Sequence, residues 1–181
     1  MKKIFSSLLV CTFFTMVGCS QMKTAAPSPT QFIKQDFAHS SIELTYSRPG
    51  LKGRNVFGTL VPYDSLWRTG ANAATKIKFN EPVEIANHHV DAGTYAIYTI
   101  PHANGEWTFI LNKGFDNSGS TGYKQSEDVF RETIPSAKID GPKVETFTIQ
   151  FSNITAESCS LTLLWDNVML RVPIKTSSKG K

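Results

Sequence analysis

The run Trp67-Arg68-Thr69-Gly70-Ala71-Asn72 holds the residue types best suited to gripping a ligand. Arg68 offers a planar fork of N–H donors that matches carboxylate or phosphate. An adjacent indole supplies a face for a sugar ring or a cation. Asn72 can both donate and accept. Arg48, Lys52 and Arg54 lie upstream and add positive charge, and Tyr63 and Lys113 complete the candidate set. The chemistry would be noncovalent capture of an anionic small molecule, a glycan or a peptide. The structural alternative uses the same residues: Arg68 pairs with Asp64 or Glu106, and Trp67 fills the core.

Other combinations point to less. Asp64, Glu106 and Asp166 are the acids from which a carboxylate hydrolase would draw a facing pair. Ser118 and Ser120 sit in no nucleophile elbow. His88 and His89 are adjacent, so on a strand they face opposite ways and do not share one ion. His39 and His102 are isolated in the sequence. Asp116, Ser118 and Ser120 lack the charge count and the glutamate of a calcium loop. The sequence therefore gives no metal site, no cofactor and no catalytic residue. Cys159 abuts the apolar run from Leu161 to Trp165 and reads as a small core-facing thiol.

The first thirty residues address location. Lys2 and Lys3 precede a mostly apolar stretch from Ile4 to Val17, too short to span a bilayer and typical of a secretory signal. Met16-Val17-Gly18-Cys19 looks like a lipobox, with Met16 where Leu is usual. Cleavage after Gly18 would free Cys19 for lipidation, and more than one acyl chain anchors firmly. Residues 1–18 are thus expected to be a lipoprotein signal peptide and 19–30 a flexible tether with Pro27 and Pro29. Ser20 follows the cysteine and no acidic cluster does. By lipoprotein sorting rules this favours the outer membrane, facing the periplasm. With Cys11 removed and Cys19 lipidated, Cys159 is left without a partner for an internal disulfide.

The formal charge of +4 includes Lys2 and Lys3, which leave with the signal. The remaining basic residues are scattered, with no stripe of the kind nucleic acid requires. The expected partners are the membrane, through Cys19, and an anionic ligand, a glycan or an envelope protein. Lys175, Lys179 and Lys181 make a basic end, with 176–181 read as a tail.

Strands must position these residues. Apolar side chains alternate at Ile42, Leu44 and Tyr46, at Ile77 and Phe79, and at Trp107, Phe109 and Leu111. The same period recurs at Phe147, Ile149 and Phe151, at Leu161, Leu163 and Trp165, and at Val168, Leu170 and Val172. Asn104-Gly105 and Asp166-Asn167 mark turns. Gln125 to Thr133 reads as a short helix or a further strand. The expectation is an all-β fold over 31–175: one antiparallel β-sandwich or jelly-roll-like domain of about eight to ten short strands. Two long segments, Pro49 to Asn72 and Asn112 to Gln125, break the rhythm and are expected to carry function.

Arg48-Pro49-Gly50-Leu51-Lys52-Gly53-Arg54, Leu60-Val61-Pro62-Tyr63 and the Trp-Arg-Thr-Gly-Ala-Asn run together resemble the DUF2911 family. The likeness continues through Ala92-Gly93-Thr94-Tyr95, Ile100-Pro101, Glu106-Trp107-Thr108, Leu111-Asn112-Lys113, Glu145-Thr146-Phe147 and Trp165 to Pro173. This family, common in Bacteroidetes, is a domain of unknown function. The resemblance implies a shared β-rich fold and brings no activity and no site residue. The functional expectation is a non-enzymatic binding or scaffold module. The alternatives are a hydrolase using carboxylates in a β-sandwich cleft and a structural partner in an outer-membrane complex.

Overall fold

The computed structural model describes residues 25–116 and 119–177. Cys19 and the signal segment, Ser118, and the basic end at Lys179 and Lys181 lie outside the described residues. The described chain is all-β, with eleven strands and one 3-10 turn at Gln125–Glu127. The strands are β1 (Thr30–Phe37), β2 (Ser40–Ser47), β3 (Thr75–Phe79), β4 (Val83–Ile85), β5 (His88–Val90) and β6 (Gly93–Pro101). They continue with β7 (Glu106–Asn112), β8 (Asp128–Lys138), β9 (Val144–Ser152), β10 (Ser158–Asp166) and β11 (Val168–Thr176). Gln125 to Thr133 therefore resolves into a short turn and then a strand.

All the strands belong to one antiparallel sheet, ordered β1-β2-β3-β6-β7-β8-β11-β10-β9, with the β4–β5 hairpin attached to β11. β8 carries the sheet around its bend. Its first part, as far as Pro135, pairs with β7, and Ser136 to Lys138 pair with β11. The two ends of the sheet nearly meet. Gly50 bridges to Thr146, with the Leu51 N–H donating to the Glu145 carbonyl at 2.8 Å and the Phe147 N–H to the Pro49 carbonyl at 2.9 Å. Tyr46 spans the remaining gap: its hydroxyl accepts from the Ile149 N–H at 2.9 Å and donates to Gln31 Oε1 at 2.8 Å. The result is a sheet nearly closed into a barrel, which leaves little free edge to recruit another strand.

The alternating apolar residues point inward. Ile42, Leu44, Ile77, Phe109, Leu111, Leu161 and Val172 are buried in one large cluster. Cys159 belongs to the same cluster. Its thiol pKa is pushed up from 9.0 to about 11 by burial, so it packs as an inert apolar group. β6 is buried on both faces because a second, smaller cluster lies outside the sheet. There Ala74, Ala96, Tyr98 and Ile110 are covered by Phe115 and Tyr123 from the Asn112–Gln125 segment. Asn112, itself buried, holds that segment by donating to the Lys124 carbonyl at 3.0 Å and to Asp128 Oδ1 at 2.7 Å.

Candidate functional site

The segment from Pro49 to Asn72 crosses one end of the sheet, and Trp67 pins it there. Its backbone makes a two-way bridge with Thr99 of β6, at 2.8 and 2.9 Å. Its indole N–H donates to the Gly70 carbonyl at 3.0 Å. The ring stacks on Trp165, with centroids 5.7 Å apart and planes 19° apart, and meets Phe147 and Trp107 edge-on. Trp67 is therefore a core residue, and its face is not free to stack a ligand. Gly70 fits because a side chain there would come within 3.0 Å of the Ser47 carbonyl and 3.2 Å of the Thr75 hydroxyl.

Arg68 leaves this pinned segment and enters a cleft of about 340 Å³. Pro49, Leu60, Val61, Pro62, Leu66, Trp67 and Trp165 supply the apolar part of its wall, and Ser28, Ser65 and Ser120 add polar groups. Among the described residues two cations, Arg54 and Arg68, border it, and no carboxylate does. The Nε of Arg68 is buried and has no hydrogen-bond acceptor among the described residues. Neither acid expected as its internal partner is available. Asp64 lies 2.5 Å from His102 Nδ1, and Glu106 accepts from the Asn104 amide at 2.8 Å. Gly119 lies over the guanidinium, and a Cβ there would stand 3.1 Å from Arg68 Nη1. A buried N–H without an acceptor costs about 1–3 kcal/mol, more when it is charged. Among the described residues the cleft is thus a cationic site without a counter-charge, lined in part by the rings of Trp67 and Trp165, whose capacity is to bind an anion.

The other expected residues are dispersed. Arg54 borders the cleft but is braced by its own turn, donating to the carbonyls of Leu51 at 3.0 Å and Gly50 at 2.8 Å. Arg48 clamps β9, donating to the Phe147 carbonyl at 3.2 Å and the Thr148 hydroxyl at 2.9 Å. Lys52 takes a positive φ of 49°, and its backbone N–H donates to Glu145 Oε1 at 2.9 Å. Asn72 ties the chain down by donating to the Ser28 carbonyl and the Ser47 hydroxyl. Lys113 is exposed and does not border the cleft. Tyr63 borders a different cavity.

That second cavity, of about 430 Å³, lies by the Asp166-Asn167 turn. There Asp166 is buried and meets Lys143 Nζ at 2.8 Å. Between it and a shallower depression of about 370 Å³ sits His102, which borders both. His102 touches Asp64 through Nδ1 and the Thr108 hydroxyl through Nε2, the latter at 2.9 Å. His88 and His89 face different partners. His88 meets Glu132 at 2.9 Å and stacks on Phe130, whereas His89 meets Ser177 at 3.0 Å.

Sequence reasoning missed Trp165 as the second aromatic wall, the Lys143–Asp166 pair and the link of His102 to Asp64. Only Trp165 had a signal, its inward register on β10. The other two are contacts across loops, which no periodicity encodes.

A comparison with curated proteins and one with solved structures found no match. One family model, described as a protein of unknown function, matches residues 28–174 and so takes in the whole sheet up to Ile174 together with the 49–72 segment. The chain belongs to the DUF2911 family.

Proposed function

We propose that this protein is a non-enzymatic binding or scaffold module whose Arg68 cleft captures the anionic group of a small molecule, glycan or peptide. The buried Nε of Arg68, without an acceptor among the described residues, carries this reading. A guanidinium satisfied inside the fold would be structural, but one in a cleft that no carboxylate of the described residues borders gains most from an incoming carboxylate or phosphate. The apolar part of the wall lowers the local dielectric and strengthens that contact. In the same reading, Cys19 carries lipid and tethers the module to the outer membrane, on its periplasmic face. The two halves of the nearly closed sheet then act as the layers of a sandwich-like or jelly-roll-like domain.

Calorimetric titration with acetate, citrate and inorganic phosphate tests the cleft. Saturable binding of at least one anion by the wild type, abolished in Arg68→Met, is expected. Equal binding by both proteins would sink the reading.

A carboxylate hydrolase is the second reading, because Asp64 and Glu106 border one depression. Its acids are engaged by His102 and Asn104. Turnover of nitrophenyl glycosides that disappears in Glu106→Gln would favour it over the binding module.

A further inference from the structure

We infer that the cavity at the Asp166-Asn167 turn is a second binding site, built for a neutral, hydroxyl-rich ligand of the sugar class. Its volume is about 430 Å³. Asp166 is only 7% exposed and sits at a φ of 55° in the tight turn between β10 and β11. Its Oδ1 is buried and accepts no hydrogen bond from the described residues. Lys143 Nζ stands 2.8 Å away, a charge contact whose angle is too bent for a directed bond. Lys143 reaches in from solvent, with its side chain 60% exposed.

Three further groups on the cavity wall have no hydrogen-bond partner among the described residues: the amides of Asn55 and Asn167 and the hydroxyl of Tyr63. This mixture selects against charge. An anion would meet Asp166 and a cation would meet Lys143, whereas a hydroxyl can donate to the carboxylate and accept from the ammonium or an amide. Tyr63, 41% exposed, adds a ring of the kind on which sugars pack. The ring is held in place against Gly58, where a Cβ would stand 2.8 Å from it and where φ is 85°. This site shares no polar group with the Arg68 cleft, so the two readings stand or fall separately.

Saturation-transfer NMR on the full-length chain, with glucose, galactose, mannose and N-acetylglucosamine as probes, tests the inference. Transfer to at least one sugar is expected. It should weaken about tenfold or more in Asp166→Asn and in Tyr63→Ala, and stay unchanged in Arg68→Met. Tyr63→Ala removes a half-exposed ring and keeps the fold, so it carries the test even if Asp166→Asn unfolds. No transfer to any of the four sugars, or transfer that survives the Tyr63 substitution, would overturn the inference.

Discussion

The Arg68 cleft and the Asp166 cavity share the 49–72 segment as a wall, and the two treat buried charge differently. Trp165 floors the first and its neighbour Asp166 lines the second. In the Asp166 cavity the buried charge has an opposite charge at 2.8 Å. In the Arg68 cleft it has none among the described residues. A paired charge tells a ligand how to orient. An unpaired one tells it what sign to carry. The same stretch of chain can therefore offer two selectivities within a few residues, set by whether each charge finds its counterpart inside the fold.

The aromatic support beneath the shared wall affects both cavities at once. Trp165→Ala removes the ring stacked on Trp67 and opens the aromatic cluster from beneath. A loss of about 3–5 kcal/mol in urea unfolding is expected, with both cavities disabled. A protein of unchanged stability would show that the cluster does not support the segment.

Cys159 reads the integrity of β10 apart from either cavity. Burial raises its thiol pKa from 9.0 to about 11. The folded state therefore holds the proton longer than the unfolded chain. This contribution is complete below about pH 9 and is lost as pH rises towards 11, on the order of 3 kcal/mol in all. Tyr46, whose hydroxyl pKa is also raised by burial, pulls the same way. Cys159→Ala should flatten the alkaline fall in stability measured between those pH values. An identical fall would place the titration elsewhere.

The charges themselves separate the two regions most cleanly. Lys143→Ala strands a buried carboxylate and should cost about 1–2 kcal/mol, reduced from a fully buried pair because Lys143 is largely solvated. Arg68→Met removes a charge that has no partner among the described residues and should leave stability within about 1 kcal/mol of wild type, or raise it. Chemical denaturation of the two variants decides. A large loss in Arg68→Met would mean that the guanidinium is structural. The smallest effect belongs to Arg54→Ala. It trims an exposed side chain braced by its own turn, so a change within about 0.5 kcal/mol is expected, with anion affinity lowered a few-fold.

The strands were legible because each inward face repeats with period two, as at Ile42, Leu44 and Tyr46 or Leu161, Leu163 and Trp165. The closure of the sheet was not. It depends on Tyr46 meeting Ile149 and on Gly50 meeting Thr146, contacts about a hundred residues apart. β6 hid its double burial for a similar reason, since its outer cover comes from Phe115 and Tyr123 in a polar segment. At the site, composition pointed to Arg68, but whether the guanidinium is free depends on where Asp64 and Glu106 go. His102 and Asn104 take them, through loop geometry that leaves no mark in the spacing. Trp67 had two readings in the sequence, core or ligand platform, and its stack on Trp165 places it in the core.

The most direct test of the central claim is to watch Arg68 itself. The Nε–H resonance of Arg68, assigned by its loss in Arg68→Met, can be followed while inorganic phosphate or acetate is titrated in. The expected result is a saturable shift of that one resonance, slowed exchange of its proton with water and a parallel rise in melting temperature that Arg68→Met lacks. An Nε–H resonance that is already protected without anion, and does not move when anion is added, would contradict it.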